Sequence, residues 1–262
     1  MDPRALTVAK IADRLVLYRR LSDALLVALA RDPRVSVKRL AVRYRAIRAA
    51  ARKEALRLRA LYKEERRRAR GGQAIAGVDE VGRGPLAGPV VAAAVILGAG
   101  PPIPGLDDSK RLRPEERAKL DGEIRARALG VALGEASVEE IDRFNIVGAT
   151  RLAMMRAVAA LAPPPHFLLI DGRERLPERR PQAAVIKGDA SCACIAAASI
   201  IAKVARDRMM VELDQAFPSY GFARHKGYAT SDHLTALARY GPCPAHRRAF
   251  LPRRQLVLFD LL

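Results

Sequence analysis

Acidic residues stand at the ends of three short apolar segments of this chain. Asp79 and Glu80 end the first segment, Asp171 ends the second, and Asp189 closely follows the third. Strand ends of an α/β sheet converge on one edge, where clustered carboxylates repel one another unless hard cations such as Mg²⁺ or Mn²⁺ neutralise them. Two such ions, roughly 3.5 to 4 Å apart, hold the attacking water and the leaving oxygen of a phosphodiester displacement. The pattern therefore favours metal-assisted phosphodiester chemistry.

Two structural alternatives apply to the same acids. Each is also a common type of turn residue or helix cap, and Asp189 precedes a predicted helix that begins near Ser191. Asp79 and Glu80 are adjacent, so on a regular strand their side chains point to opposite faces. We expect both to reach one site only if the strand ends or bulges there.

A loop rich in glycine and proline follows these two acids directly. Residues 82–89 read Gly-Arg-Gly-Pro-Leu-Ala-Gly-Pro, which is too rich in Gly and Pro to continue a strand. Glycine lets backbone N–H groups approach a ligand closely, and Arg83 supplies a cation for phosphate. The pattern indicates either a ligand-binding loop or a structural turn.

The segments around these residues alternate between short β-like runs and helical patterns, which is typical of an α/β fold. The runs predict strands at 74–79, 90–97, 131–136, 167–171 and 183–187. The helical patterns predict helices at 114–128, 146–161, 191–216 and 231–239.

Charge separates an N-terminal arm from the rest of the chain. Of the formal net charge of +19, residues 1–70 contribute 21 Lys/Arg against 7 Asp/Glu, a net +14. Apolar residues at helical spacing predict two amphipathic helices there, separated at Asp32-Pro33. We expect a basic helical extension at 1–72, a catalytic domain at 73–250 and a tail at 251–262. Such an excess of positive charge favours a nucleic-acid partner, and a solvated helical face is the alternative.

Three cysteines, Cys192, Cys194 and Cys243, lack the spacing of a zinc site or a disulfide framework. We expect Cys192 and Cys194 to pack in a helix among small residues. No long apolar segment predicts a membrane span, and no signal-peptide pattern is present at the start. A cytoplasmic protein is therefore expected.

The longest motif in the chain, residues 76–89 (AGVDEVGRGPLAGP), resembles the signature of bacterial ribonuclease HII. The resemblance covers about residues 74 to 250, and the N-terminal arm is similar to extensions on some bacterial members. Further matching segments follow in the family's order at 105–110, 145, 169–172, 187–189, 197–207, 220–222, 225–228 and 246–248.

This resemblance implies an RNase H-like mixed sheet flanked by helices, with a helical C-terminal part. It implies that Asp79, Glu80, Asp171 and Asp189 form the catalytic set and hold two divalent ions, Mn²⁺ or Mg²⁺. The implied substrates are RNA/DNA hybrids and duplex DNA with an embedded ribonucleotide. By the same resemblance, water attacks the phosphate 5′ to a ribonucleotide, and the products carry 3′-hydroxyl and 5′-phosphate ends.

The resemblance also implies how ribose is distinguished from deoxyribose. The backbone of Gly82, Arg83 and Gly84 would sense the 2′-hydroxyl, and Tyr228 would stack on the sugar. Ala229 stands where the family usually has Gly, and it would alter the turn that positions Tyr228 if that residue requires a positive φ. Ala249 likewise replaces a more usual Ser. Phosphate contacts are expected from Ser109, Lys110, Lys203, Lys226 and His246, although Lys203 is equally compatible with a helix-face charge.

The C-terminal residues 255–259 read Gln-Leu-Val-Leu-Phe, which resembles the peptide by which bacterial proteins dock on the replication sliding clamp. We expect Gln255, Leu256, Leu258 and Phe259 to bind the clamp. The alternative is that the three apolar residues fold back onto the protein's own core.

Two other functions are compatible with parts of the sequence. A ribonuclease HIII would share the acids, but the loop at 82–88 argues against it. A protein that binds hybrids without cleaving them would use the basic arm, but the four intact acids disfavour it.

Overall fold

The computed structural model describes residues 6–17, 23–69 and 72–251, which form helices and one five-stranded mixed sheet. The predicted α/β class with a helical N-terminal region is confirmed. The chain divides into two compact units, Met1–Arg57 and Leu58–Leu262. This division falls within a helix and before the boundary that we predicted at residue 72.

The first unit is helical and has a small apolar core of its own. Where the sequence predicted its first helix, the described residues contain α1 (Val8–Leu17) and α2 (Asp23–Ala30). The second predicted helix corresponds to α3 (Val35–Leu61), which extends into the second unit. The buried residues of this core are Ile11, Leu26, Leu29, Val37 and Ala41.

The end of α3 and the short helix α4 (Lys63–Arg68) belong to the second unit. Leu58, Leu61 and Tyr62 are buried in its apolar core. The carboxylate of Glu65 accepts a hydrogen bond from the backbone N–H of Cys194, near the start of a long helix. A carboxylate at this position satisfies one of the N–H groups that a helix start leaves unpaired.

The sheet of the second unit has the strand order β3-β2-β1-β4-β5. Its first three strands form an antiparallel meander, and β4 and β5 run parallel to β1. The carboxyl ends of β1, β4 and β5 therefore lie on the same edge. The strands are β1 (Ile75–Val81), β2 (Val90–Leu97), β3 (Ala128–Ala136), β4 (Phe167–Asp171) and β5 (Gln182–Val185).

Two long helices cover the faces of this sheet. Helix α6 (Val138–Ala159) packs on one face and α8 (Ala193–Ala216) on the other. Small residues let α8 approach closely: a Cβ on Gly77 of β1 would lie 2.2 Å from the carbonyl carbon of Cys194. Cys192 and Cys194 are fully buried at the start of α8, in packing positions.

The other helices surround this core. Helix α6 consists of two helical segments, because Asn145, at φ 55°, is not helical and its Oδ1 accepts hydrogen bonds from the N–H groups of Val147 and Gly148. The second segment therefore starts at residue 146, as predicted, and Ser137 caps the first segment. No helix in the described ranges is long and apolar enough to cross a membrane. The remaining helices are α5 (Pro114–Arg127), α7 (Gly188–Ser191), α9 (Phe222–His225) and α10 (Ser231–Tyr240).

Candidate active site

The pairing of β1 with β4 brings the first acids of the predicted set together. Val78 pairs with Ile170 in parallel register, so Asp79 and Asp171 follow side by side at the edge of the sheet. Both are preceded by residues that are fully or almost fully buried. The apolar strands thus fix two carboxylates at one end of the sheet.

Asp79 is the most buried of these carboxylates, with 4% of its surface exposed. Its Oδ1 accepts a hydrogen bond of 2.8 Å from the backbone N–H of Glu80, and the Ser199 hydroxyl of α8 lies close enough to act to lower its pKa. Burial raises the pKa of Asp79 well above its usual range, and the charges of Glu80 and Asp171 raise it further. A nearby cation would relieve this unfavourable state.

Glu80 lies on the other side of β1 from Asp79. The strand neither ends nor bulges at this pair, because both residues remain in register with β2 and the strand continues to Val81. From the sequence we expected both carboxylates to reach one site only if the strand ends or bulges there, and that condition is not met. Glu80 instead lines a cavity of about 290 Å³ together with Asp171 and Arg83.

Burial raises the pKa of Glu80, while the Arg83 guanidinium, 3.4 Å from its Oε1, opposes that rise. The charge of Glu80 nevertheless raises the pKa of Asp79, so the two carboxylates still interact electrostatically. Opposite faces of β1 therefore do not separate the two charges.

Asp171 and Asp189 are linked through the turn that follows β5. The N–H of Gly188 donates a hydrogen bond of 2.7 Å to Asp171 Oδ1, and Lys187 before it has φ 56°. Burial raises the pKa of Asp171, and the charge of Asp189 adds to that rise. Asp189 lies in α7, and its Oδ2 is 3.2 Å from Nζ of Lys110.

Lys110 is a second cation beside the acids, in addition to Arg83. Burial acts to lower the pKa of Lys110, but its hydrogen bond and ion pair with Asp189 outweigh this effect, so the net shift is upwards. Within the described ranges, no group of three or more His, Cys, Asp or Glu side chains already lies close enough together to hold a metal ion. The four acids nonetheless form one electrostatically coupled, all-oxygen set, which is the donor chemistry of hard divalent cations.

Two buried arginines, Arg206 of α8 and Arg247, support the loop at 82–89 through hydrogen bonds to its backbone. Gly82 has φ 94°, and a Cβ there would lie 2.3 Å from Nε of Arg206. Arg206 donates to the carbonyl oxygens of Ala87, Pro89 and Lys226. Arg247 donates to those of Gly82, Arg83, Pro85, Gly88 and Pro89.

This arrangement determines which way the loop presents its backbone. Every carbonyl group of the loop except that of Gly84 accepts a hydrogen bond from Arg206 or Arg247, so those carbonyl groups are directed into the protein and away from a ligand. Among the hydrogen bonds of the described residues, none is donated by the N–H of Gly82, Arg83 or Gly84. The loop therefore offers donors, as an anion or a hydroxyl oxygen requires.

Neither arginine was identified from the sequence, although a signal for Arg206 was present. Arg206 follows Ser199 and Ala202 at helical spacing, and all three lie on the buried face of α8. Burial lowers the pKa of Arg206 to about 10. Burial and the neighbouring charge of Arg206 lower the pKa of Arg247 to about 9.

Tyr228 lies against the same loop. Its ring is exposed, and its Cε1 would be 3.8 Å from a Cβ on Gly84. Lys226 and Gly227, at φ 53° and 82°, make the tight turn before it, and Ala229 is not among the residues with positive φ. Ala229 in place of Gly therefore strains nothing at this turn.

The five other predicted substrate contacts occupy different environments. Lys110 is exposed, whereas Ser109 is buried and its hydroxyl lies 2.9 Å from that of Ser199. Nζ of Lys203 lies 2.6 Å from Oδ1 of Asp207. Lys203 therefore remains compatible with a charge on the face of the helix as well as with a phosphate contact.

Lys226 and His246 complete this predicted set. The Lys226 Nζ lies 3.3 Å from the carbonyl oxygen of Asp207. His246 is fully buried, and both of its ring nitrogens have partners within the protein. This burial contradicts the direct phosphate contact that we expected for His246. The predicted clamp-binding residues Gln255, Leu256, Leu258 and Phe259 lie outside the described residues.

Comparison with protein families gives two matches. The model of the family "Ribonuclease HII" matches residues 76–253, and that of "Ribonuclease HII N-terminal domain" matches residues 7–68. The ribonuclease HII of Desulfitobacterium hafniense is 51% identical over 92% of this chain and 93% of its own. That of Geobacillus kaustophilus is 53% identical over 87% of this chain and 88% of its own.

Solved structures agree with the fold. The ribonuclease H2 of Pyrococcus horikoshii matches with a TM-score of 0.58 and 25% identity, over 71% of this chain and 98% of its own. The ribonuclease HII in the PCNA:RNase HII complex of Archaeoglobus fulgidus matches with a TM-score of 0.58 and 26% identity, over 69% and 96%. Motifs, fold and overall identity agree along both units, so this chain belongs to the ribonuclease HII family of hydrolases, endonucleases that act on RNA paired with DNA.

Proposed function

We propose that this chain cleaves the RNA strand of RNA/DNA hybrids and also incises duplex DNA on the 5′ side of a single embedded ribonucleotide. The products carry 3′-hydroxyl and 5′-phosphate ends. The observation that carries the proposal is the edge of the sheet where β1 and β4 end. There, a coupled carboxylate set lies beside a loop whose N–H groups at 82–84 donate no hydrogen bond within the described residues, and beside an exposed tyrosine.

We assign Asp79, Glu80, Asp171 and Asp189 as the residues that would hold two divalent cations, Mg²⁺ or Mn²⁺. Their fit rests on an all-oxygen donor set and on the raised pKa of Asp79, which reports carboxylates in need of positive charge. When bound, such ions activate a water molecule and stabilise the leaving oxygen of a phosphodiester.

The protein's own groups supply binding, orientation and selectivity. The N–H groups of Gly82, Arg83 and Gly84 donate no hydrogen bond within the described residues and would bind a 2′-hydroxyl, and the exposed Tyr228 ring would provide a flat apolar surface for the sugar. Lys110 contributes a cation beside Asp189 for the phosphate. We assign Lys203 and Lys226 to contacts further along the duplex. The buried Ser109 would act indirectly, through its hydrogen bond with the Ser199 hydroxyl.

A cleavage assay tests this proposal directly. A long RNA/DNA hybrid and a DNA duplex with one ribonucleotide are incubated with the full chain, in Mg²⁺ and in Mn²⁺, and the product ends are mapped. We expect both substrates to be cut and chelation of the metal to stop cutting. Binding that survives chelation with no cleavage in either metal would favour a hybrid-binding protein, and cleavage of the long hybrid alone would reject single-ribonucleotide incision.

We also propose that the C-terminal residues 255–259 bind a replication sliding clamp. Support comes from the similarity of Gln-Leu-Val-Leu-Phe to clamp-binding peptides and from the archaeal relative that was solved as a complex with PCNA. Tethering at the place of DNA synthesis would raise the effective concentration of the enzyme where ribonucleotides are incorporated. This role would place the protein in DNA replication and ribonucleotide repair in the cytoplasm.

A further inference from the structure

Three histidines lie beneath the Tyr228 segment, outside the acidic site. His233 and His246 are fully buried. The His225 and His233 rings stack with centroids 4.4 Å apart. Tyr220 and Phe222 pack against the same group. Buried polar rings of this kind are stable only when their nitrogens are hydrogen-bonded.

The hydrogen bonds around His246 fix which of its nitrogens carries the proton. The backbone N–H of Cys243 points at Nδ1 of His246 from 3.0 Å, so that nitrogen must accept. The Cys243 carbonyl oxygen is 3.2 Å away, but a proton on Nδ1 would place two donors face to face. A neutral His246 therefore carries its hydrogen on Nε2.

The position of the hydrogen on His246 determines which ring nitrogen of His233 carries its hydrogen. Nε2 of His246 lies 3.1 Å from Nε2 of His233, so His246 donates and His233 accepts. The hydrogen of a neutral His233 must then be on Nδ1, which lies 2.9 Å from the carbonyl oxygen of Tyr228. One directional chain of hydrogen bonds thus runs from the Cys243 backbone through two imidazoles to Tyr228.

His225 completes the support on the other side of the turn. Its Nδ1 accepts from the backbone N–H of Gly227 at 3.2 Å, and its Nε2 lies 2.8 Å from the carbonyl oxygen of Tyr220. The Lys226 carbonyl is in turn bound by Arg206 at 3.0 Å. The backbone of each of residues 226–228 is therefore held by a different side chain, namely Arg206, His225 and His233.

We propose that His233 and His246 are positioning residues for ribonucleotide selectivity, acting as a pair of neutral imidazoles of fixed tautomer that hold the Tyr228 backbone against the loop at 82–89. The inference rests on the proposed function, in which Tyr228 reads the sugar. Neither histidine touches substrate. The chain of donors works only when both rings are neutral, because a second proton on either ring would face another donor.

The surroundings favour the neutral state. Burial, together with the charge of His233, lowers the pKa of His246 to about 4. Burial also lowers the pKa of His233, although its bond to the Tyr228 carbonyl opposes that change. The titratable groups that face the pair are His225, Cys243 and Tyr220.

Two substitutions at one position separate the proposed role from simple packing. In His233→Asn, the side-chain amide replaces Nδ1 and can still donate to Tyr228, but the bond to His246 is removed. In His233→Gln, the amide replaces Nε2 and keeps His246 as partner, but Tyr228 loses its donor. Each variant lacks one buried hydrogen bond, so we expect similar decreases in thermal stability.

Incision at a single ribonucleotide should differ between them. We expect kcat/KM of His233→Gln to fall about tenfold to a hundredfold, since small misplacements of a positioning group cost this much. His233→Asn should stay within about threefold of wild type. Equal effects of the two substitutions, or no effect of His233→Gln, would overturn the proposal.

A double-mutant cycle with Tyr228→Ala tests whether the effect passes through the tyrosine. In that background, the additional loss from His233→Gln should disappear, because residues that act together are not additive. An undiminished loss would mean that His233 acts elsewhere.

The tautomers can be measured without any activity. The chain contains four histidines, so ¹⁵N spectra of the imidazoles of the full-length protein are tractable. We expect the hydrogen on Nδ1 of His233 and on Nε2 of His246 at neutral pH, and the reverse assignment would refute the chain. If the wild-type protein does not cut at a ribonucleotide, the proposed function is refuted. The spectra would still show whether the two histidines have the tautomers that the hydrogen-bond chain requires.

Discussion

Arg206 and Arg247 share one acceptor, the carbonyl oxygen of Pro89, which lies 2.9 Å from Nε of Arg206 and 3.2 Å from Nη2 of Arg247. Both side chains are fully buried, and among the described residues neither forms an ion pair. Two adjacent buried cations would repel each other strongly if carbonyl dipoles did not solvate them. The loop at 82–89 supplies those dipoles, so its conformation and the burial of the arginines depend on each other.

Arg247→Met should therefore destabilise the protein by at least about 3 kcal/mol, because several buried carbonyl groups lose their donor. Thermal or denaturant unfolding measures this change. The exposed Lys119→Met removes the same charge and should alter the free energy of unfolding by less than about 0.5 kcal/mol. Similar small effects of both substitutions would mean that the loop does not need the buried cation.

Asp79→Asn and Asp189→Asn should each abolish cleavage while hybrid affinity stays within a few-fold. The carboxylates are assigned to metal binding, whereas the basic surface supplies most of the attraction to the duplex. Cleavage rate and equilibrium binding are measured on the same hybrid. Asp232→Asn, at an exposed acid of α10, serves as the control and should cleave normally. Substantial turnover by either active-site variant would remove it from the catalytic set.

The basic first unit should contribute to binding by neutralising phosphates of the duplex. A deletion that tests this should stop at Arg57, because Leu58, Leu61, Tyr62 and Glu65 are buried in the second unit. Deletion of residues 1–57 should weaken hybrid binding and flatten its salt dependence, by about 0.9 in log K per log[salt] for each phosphate that is no longer neutralised. Cleavage at saturating substrate should persist. An unchanged slope would assign the arm to another partner.

The buried His246 predicts a loss of stability in mild acid. Its pKa is about 4 in the folded protein and about 6.5 in an unfolded chain, so the unfolded state takes up the proton first as the pH falls. The contribution is complete above about pH 6.5 and decreases as the pH falls towards 4, by about 2 kcal/mol between pH 7 and pH 5. His246→Gln should lower stability at pH 7 but remove this component of the pH dependence. Parallel curves for the two proteins would contradict the buried neutral state.

The C-terminal peptide can be tested independently of catalysis. Gln255→Ala combined with Phe259→Ala should abolish binding to a purified bacterial sliding clamp, measured by calorimetry, and leave cleavage by the isolated enzyme intact. Equal affinity of wild type and double mutant would reject the interaction. A double mutant that unfolds would indicate that these residues belong to the protein's own core.

Local patterns in the sequence were sufficient for the elements and for the acids. Short runs of five to eight residues marked all five strands, and helical spacing marked α8 and α10 closely, because burial imposes a period on each element. The Asp79–Glu80 pair, Asp171 and Asp189 were identifiable because each acid interrupts or follows a run that must be buried. The motifs of the family then ordered these pieces.

The faces and partners of side chains depended on contacts far apart in the sequence. The sequence alone determined the α/β class, the basic extension, the family and the identity of the candidate acids. Only the tertiary structure decided that β1 stays regular through Asp79 and Glu80, and that Arg206, His233 and His246 lie inside the protein. The physical reason is that a buried polar group is tolerated only where distant segments supply its hydrogen bonds, and local residue patterns do not encode those partners.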